Sequence, residues 1–555
     1  MSTSTADAQL LPSGDLTVTI TPNDPQKVMG AYEGASRTSR ELAMHRPTMR
    51  SADGDLLRDK QLIDARARDN TRNDGYMTGA SATHKDSIVG AQYMLNSRPA
   101  YKILGLDEKW ADEFQEYCEQ RFTLYAESND RWIDASRHDT LTGLVRLGVG
   151  VRFMHGEVAA SVEWIRETAR PYKTALQMVD PDRICNPHGM SDVERLRGGV
   201  ETDRYGAPLA VHIRNGYAND PWALQAFTWS RIPIRKPWGR IQFIHLYERM
   251  RPDQTRGVAD MVSVLKQMKM TSRFQDIVLQ NAVVNATYAA TIESELPREV
   301  ALGTIGADNN SSVAAAAQYL QALAQYGDAS TNLHIDGVKI PHLFPGSKLQ
   351  LRPAGTTGGV GEDFESSLLR HVAAALGLSY EQFSKDYSQT NYTSARASMN
   401  ETWKYMQSQK KITADSLATH AFALWLEEDM NRPDTDMPLP ANAPSLYDPL
   451  MKEAYTACSW IGASRGQVDE LKETQAAAMR MGNSISTLED ECIRTGKDWR
   501  EVLKQKGREK KLAESLGIEL TTSAITPGAN DALGVMKDAG KKTPSNGKAE
   551  SDTDE

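Results

Sequence analysis

Apolar residues first recur at helical spacing between Asp55 and Asn96, where Leu56, Leu57, Leu62, Ile63, Ile88, Val89 and Met94 stand among charged residues. Such a pattern predicts amphipathic helices, and Asn73, Asp74 and Gly75 supply a break between them. From about Val151 to Tyr247 the period shortens to β-type runs, SVEWI, LAVHI and IQFIHLY, punctuated by NPHG, DRYGAP and RKPWG. A β-rich part decorated with helices is expected there. Next, GVADMVSVLKQMKMTSRFQDIVLQNAVVNATYAATIESEL runs from Gly257 to Leu296 with no further glycine and no proline. At about 1.5 Å per residue a helix of that length spans on the order of 60 Å. Its first half carries Lys266, Lys269 and Arg273, whereas Ile277 to Ile292 is uncharged but interrupted by Gln280, Asn281 and Asn285. A helix apolar on most sides needs neighbours on most sides. Those neighbours are either the core of one large domain or other copies of the same helix.

A helix over about Ser311 to Tyr326 precedes the strand-like LHIDGVKIPHLF and KLQLRPA, and GTTGGVG closes this small α/β excursion. Glu362 to Leu376 forms another amphipathic stripe, ended by Gly377. A polar, Tyr-rich loop, SKDYSQTNYTS, then leads into a long helix from about Ala395 towards Asp429, broken by Pro433, Pro438 and Pro440. Helical stretches near Val468–Met481 and Ile485–Leu516 complete the ordered part. The polar ends, 1–55 and from about Thr521 to Glu555, are expected to be flexible. The fold class is therefore α+β and multidomain.

Composition narrows the function classes. The 555 residues are 40% hydrophobic and 25% charged, with a net charge of −9. That balance disfavours a tight grip on nucleic acid, which needs a basic face to displace counterions, but it suits a channel through which DNA must slide. Cys118, Cys185, Cys458 and Cys492 lie far apart, so neither a zinc ribbon nor a disulfide framework is indicated. The N-terminal MSTSTADAQLLPSGD lacks the basic and apolar regions of a secretory signal, and no run reaches the roughly 20 apolar residues of a membrane span.

Catalytic motifs are weak. GASRG, Gly462 to Gly466, fits the GxSxG elbow, and the preceding ACSWI is strand-like, but the stretch reads more simply as a turn into the helix GQVDELKETQ. GVMKDAGKKT has one residue too many between Gly534 and Gly540 for a P-loop, and Lys542 stands where Ser or Thr should hold magnesium. GTTGGVG, Gly355 to Gly361, lacks the lysine that would follow a phosphate loop. The 11 histidines show no HExxH and no cluster with carboxylates, giving no sign of a metal site, and Glu427 and Glu428 read as a solvated helix face. No catalytic residue and no cofactor is expected; the chain is read as a non-enzyme. Serine hydrolysis through Ser464 remains the enzymatic alternative.

Longer stretches carry a family resemblance. RARDNTRNDGYMTGASATHKDSIVG, LQMVDPDRICNP, GGVETDRYGAP and FIHLYERMRPDQTRG, with the tetrapeptide Gln254–Gly257, resemble the lambda-type portal proteins of tailed bacteriophages. So do QMKM and ATYAATIESEL in the long helix, SSLLRHVAAALGLSYEQFSKDYSQTNYTSARASMNETW from Ser366 to Trp403, and ALWLEEDM, CSWIGASRG, DELKETQAA and STLEDECIRTGKDW beyond it. The similarity covers roughly residues 60 to 500 in order.

The resemblance implies a dodecameric ring with an axial channel, built from wing, helical stem, α/β clip and helical crown. It divides the chain into a flexible arm (1–55), a wing (56–256), a stem helix (257–296), a clip (297–360), a second stem helix (361–383), a tunnel loop (384–394), a long helix joining wing and crown (395–432), a helical wing and crown region (433–519) and a tail (520–555). Lys385, Tyr387, Gln389, Asn391, Tyr392 and Arg396 would then line the narrowest part of the channel, with contacts between neighbouring loops as the alternative role, and Lys266, Lys269 and Arg273 would line the stem. The implied partners are further copies of the chain, the terminase large subunit, the major capsid protein and scaffold, head-completion or tail-connector proteins, and the passing double-stranded DNA, with no membrane. The implied place is the portal vertex of the virion, after assembly in the host bacterial cytoplasm. A ring-forming head or tail component without a DNA channel is the non-enzymatic alternative.

Overall fold

Capping chemistry sets the first helices. In the computed structural model, which describes residues 39–287 and 360–518 apart from 218–219, 221, 223, 389 and 467–468, together with 4–10, 16–22, 33–36, 321, 333–335 and 338–340, a short helix α1 (Ala52–Leu56) precedes α2 (Lys60–Asn73) and α3 (Gly75–Ile88). Asp74 ends α2 and caps α3, its side chain accepting a hydrogen bond from the Met77 N–H at 3.1 Å. This is the break expected at Asn73–Gly75.

An N-terminal antiparallel pair, β1 (Ser4–Leu10) and β2 (Leu16–Pro22), precedes these helices in the chain, and strand β3 (Met94–Ser97) and helices α4 (Tyr101–Leu104), α5 (Glu108–Ala126) and α6 (Leu141–His155) follow them. The β-rich region expected from Val151 therefore begins later, because Val151–His155 is the last turn of α6. Gly156 closes that helix with φ 75°, a left-handed conformation that suits glycine. Glycine is doubly required, since a Cβ there would lie 2.0 Å from the Val258 carbonyl carbon.

Strands β4 (Glu157–Trp164), β5 (Thr174–Val179) and β10 (Phe243–Tyr247) form an antiparallel sheet in the order β10-β4-β5. A meander of β6 (Leu196–Arg197), β7 (Val200–Thr202), β8 (Pro208–Arg214) and β9 (Trp229–Pro233) forms the second sheet. The expected strands SVEWI, LAVHI and IQFIHLY thus lie in β4, β8 and β10. Ala159, Val179, Ile184, Val200, Val211, Ile213 and Phe243 pack together as a small core of their own. Val158, Ala160 and Val162, on the other face of β4, join the main core.

Helix α7 spans Leu265–Thr287 after a 3-10 turn at Asp260–Val264. The expected start at Gly257 is corrected by the residues before it. Buried side chains hold the backbone of Gln254–Gly257 outside any helix, and Gly257 passes so close to Gly156 that a Cβ on it would lie 2.3 Å from the Gly156 carbonyl oxygen. Beyond Thr287 the expected stem end, and most of the clip from 297 to 359, lie outside the described residues. Within that span Leu333–Ile335 and Val338–Ile340 pair as an antiparallel hairpin.

The chain returns as a helix, Val360–Ala375, that Gly377 ends at φ 66°, and a short helix Tyr380–Ser384 follows. A continuous helical rod then runs from Tyr392 to Met430: an α-helix to Gln409, a π-turn at Lys410–Asp415 and a second α-helix from Ser416. Phe422, Trp425 and Leu426 of its last part are fully buried, Phe422 and Trp425 packing on Phe122 and Trp425 also on Tyr172. Strand Cys458–Ile461 pairs with β3, tying the C-terminal part to the N-terminal helices, and helices Glu470–Gly482, Leu488–Arg494 and Trp499–Leu516 close the described chain.

One expectation fails in this core. Glu427 and Glu428 are 3% and 8% exposed rather than solvated. Glu428 accepts the backbone N–H groups of Lys173 (2.7 Å) and Thr174 (2.8 Å), and Glu427 pairs with Arg240 at 3.3 Å. Glu428 thus acts as an internal cap for the start of β5 and Glu427 as an ion-pair partner, and buried carboxylates with such partners are stable there. Among the described residues, no helix is long and apolar enough to cross a membrane, and all four cysteines are free thiols.

Candidate functional site

The tetrapeptide before α7 fixes how that helix leaves the β-rich part of the chain. Gln254 accepts from the Met250 N–H at 2.9 Å and donates to the Arg256 carbonyl at 2.7 Å, while Thr255 donates to Asp53 from its backbone (2.9 Å) and its hydroxyl (3.0 Å). Arg256 is buried, forked onto the Glu157 carboxylate, and donates to the carbonyls of Pro181, Ile184 and Gly198 at 2.7–2.8 Å. Lys60 reaches Glu157 at 3.2 Å and the Gly257 carbonyl at 2.9 Å. Burial by itself would raise the Glu157 pKa, but Arg256 and Lys60 outweigh it and hold the carboxyl well below the usual range. Glu157 is thus a fixed charge around which α2, β4 and the root of α7 are assembled.

Lys266, Lys269 and Arg273 follow at i, i+3 and i+7 along α7 and are all exposed, so they share one face. Among the described residues none of the three makes an ion pair. The next turn exposes Ile277, Val278 and Leu279 (47%, 49% and 65%). The opposite side of α7 packs antiparallel on the Val360–Ala375 helix: Phe274 meets Phe364 edge-on at 5.8 Å, and Gln275 donates to Glu365 at 2.6 Å. Leu369 and Val372 join Val264 and Met268 in the core.

The Tyr-rich loop is short and pinned at both ends. Phe383, buried, stacks on Tyr76 of α3 at 5.6 Å, and Lys385, at φ 59°, donates from Nζ to Thr83 Oγ1 at 3.2 Å. Asp386 accepts from the Ser388 N–H, which holds its carboxyl below the ordinary value. At the far end Asn391 and Ser394 form a reciprocal capping box that starts the helical rod. Between these anchors Tyr387 is 55% exposed, and Arg396 projects from the first turns of the rod. Gln389 and the side chain of Tyr392 lie outside the described residues.

The loop cations and the α7 cations occupy two places on one support. Lys385 leans on α3, and Ser272 of α7 contacts Asp74, the joint of α2 and α3, at 3.2 Å. No hydrogen bond or ion pair joins the two groups directly among the described residues. Asn391 has a demonstrable local task as a helix cap, a signal readable from Asn-x-x-Ser before the helical run.

One sequence reading changes in three dimensions, and the Ser464 alternative gains no support. His155, Asp64 and Asp182, remote in sequence, converge with their ligating atoms within 4.8 Å of one another, although no histidine–carboxylate cluster is visible along the chain. Only a fold that brings the end of α6 onto α2 reveals it. Ser464 is exposed, the following helix begins only at Glu470, and among the described residues no hydrogen bond joins it to a histidine. Residues 355–359 of the glycine-rich loop and the P-loop-like stretch 534–542 lie outside the described residues.

The model of the phage portal proteins of the lambda family matches residues 38–410. The chain is similar to the portal protein of Escherichia phage N15, with 38% identity over 494 residues covering 88% of this chain and 91% of that protein. Portal protein B of Escherichia phage lambda is 37% identical over 492 residues, with the same coverage of both chains. A probable portal protein of Halomonas phage phiHAP-1 is 21% identical over 479 residues, covering 84% of this chain and 83% of that protein. Among solved structures, a chain from the neck of an empty gene transfer agent particle, computed with C6 symmetry, aligns with a TM-score of 0.37 and 12% identity, covering 83% of this chain and 99% of that one. One from the neck of a native particle, computed with C12 symmetry, gives 0.36 and 11%, with 82% and 98% covered. With a family match over that span and relatives of nearly full length above one third identity, the chain belongs to the lambda family of phage portal proteins.

Proposed function

We propose that the chain is the repeating subunit of a dodecameric ring at one vertex of a tailed-phage capsid, through whose axial channel double-stranded DNA is packaged and later ejected. The observation that carries this reading is the 38% identity over 494 residues with a protein named as a portal protein. Two local features support it. The apolar side chains Ile277, Val278 and Leu279 face outward from α7, as expected of a helix whose remaining neighbours are copies of itself. Lys266, Lys269 and Arg273 present isolated positive charges, weak enough singly to touch a moving duplex without stopping it.

In this scheme 56–256 is the wing, the helical part of 257–296 pairs with 361–383 as the stem, 297–360 is the clip that docks the terminase and later the head-completion proteins, and 384–394 is the tunnel loop. The segments 395–432 and 433–519 join wing to crown. Lys385, Tyr387, Gln389, Asn391, Tyr392 and Arg396 offer hydrogen bonds and ring faces to passing DNA. ATP hydrolysis belongs to the terminase, and the ring nucleates the procapsid by meeting the major capsid protein and scaffold in the host cytoplasm.

Electron cryomicroscopy of the purified full chain tests the proposal. Closed rings with an axial passage wide enough for a DNA duplex are expected. A monomer persisting across salt and concentration, or a ring without such a passage, overturns it, the latter in favour of a head or tail component with no conducting role.

A further inference from the structure

His155 is 3% exposed at its side chain, and its Nδ1 has no hydrogen-bond partner. A buried polar atom without a partner costs free energy and calls for an explanation. That nitrogen points at two carboxylates, with Asp64 Oδ2 at 3.5 Å and Asp182 Oδ1 at 3.7 Å. Both separations are too long for hydrogen bonds, which end near about 3.2 Å. They match a different arrangement: ligand atoms about 2.0–2.2 Å from one tetrahedral ion lie about 3.4 Å apart.

The cations nearby do not remove the need. Lys60 touches Asp64 Oδ2 at 3.0 Å but also has Glu157 (3.2 Å) and the carbonyls of His155 (3.2 Å) and Gly257 (2.9 Å) to hold it. Arg68 pairs with Asp182 through Oδ2, which leaves Oδ1 turned towards the imidazole. On the far side of the ring, Nε2 lies 4.0 Å from Asp180 Oδ1, the side on which the proton of a neutral ring would be placed. Counting formal charge, the carboxylates of Asp64, Glu157, Asp180 and Asp182 exceed the fixed cations Lys60, Arg68 and Arg256 by one.

We propose that Asp64, His155 and Asp182 bind one divalent transition-metal cation, of which Zn²⁺ fits the mixed nitrogen and oxygen donor set best. An imidazole donor disfavours Mg²⁺ and Ca²⁺, which take oxygen ligands. The ion would clamp the start of α2, the end of α6 and the turn after β5, three elements that meet where α7 leaves the wing.

The test uses the full chain after treatment with a chelator, titrated with ZnCl₂ by calorimetry and with CoCl₂ by visible absorption. One equivalent per chain, micromolar or tighter, with the intense visible bands of a low-coordinate Co²⁺ site and a rise in Tm on adding zinc, is expected. His155→Gln and Asp182→Asn should each weaken binding at least tenfold. If His155→Gln fails to fold, Asp182→Asn, at the half-buried edge of the cluster, decides alone. Absence of binding by the unaltered chain, or unchanged affinity and spectrum in Asp182→Asn, overturns the proposal.

Discussion

Arg256 shows how much one side chain can carry. Its guanidinium neutralises a fully buried carboxylate and satisfies three backbone carbonyls, so Arg256→Ala strands Glu157 without a bidentate partner. Removing one member of a buried pair costs about 3–5 kcal/mol. Thermal denaturation should show a large fall in Tm, and Arg256→Lys should restore little of it because an ammonium cannot span the same fork of acceptors. An unchanged Tm in Arg256→Ala would refute this account of the network. The sequence displayed the tetrapeptide but not its counter-charge, because Glu157 lies on β4, remote from it along the chain. Glu201 makes a gentler, pH-dependent case. Hydrogen bonding from Arg231, helped by His212 and opposed by partial burial, lowers its pKa from 4.5 to about 2. A depressed carboxylate pKa contributes stability that is present above the unfolded value and lost as pH falls through the folded one. The difference in stability between the unaltered chain and Glu201→Gln should therefore be constant above about pH 5 and shrink between pH 4.5 and 2, as thermal melts at stepped pH would record.

At the scale of elements, caps are legible and burial is not. Asn73–Gly75 and Gly377 stand where helices end, whereas the rod, expected from about Ala395, already begins at Tyr392 behind its cap Asn391. Asn391→Ala should lower stability by about 1 kcal/mol through loss of the cap, and Asn391→Asp should preserve it. Denaturant titration distinguishes the two, and equal loss in both would show that the amide serves something other than the cap. The sequence placed α7 eight residues too early because periodicity detects apolar spacing, whereas Gly156 and Gly257 are small so that two backbone segments can touch. Glu427 and Glu428 misled for a related reason: their partners are backbone N–H groups and a distant arginine, which no composition advertises.

For the whole molecule, the proposed ring places the exposed apolar turn of α7 at the interface between subunits. Ile277→Lys with Leu279→Lys should leave the protomer folded, since both side chains already face outward, and should move the ring towards smaller species in sedimentation velocity. Rings of undiminished size would remove α7 from the subunit interface. The fold class and the strands β4, β8 and β10 were legible because each strand carries its own alternation. The proposed tunnel-facing roles rest on the family resemblance alone, since they depend on where the neighbouring copies of the proposed ring would sit. A different kind of information lies in the π-turn at Lys410–Asp415, where Lys410 is fastened to Asp415 at 2.8 Å and to the Trp460 carbonyl at 2.9 Å. A π-turn holds one more residue than an α-turn, and one residue corresponds to about 100° around the helix axis. The rod is therefore dephased like two gears keyed to one shaft at different angles. The compass bearing of Arg396, and of the loop just before it, is written by an insertion deep in the core, so one deletion there would turn the outer half while leaving both halves helical.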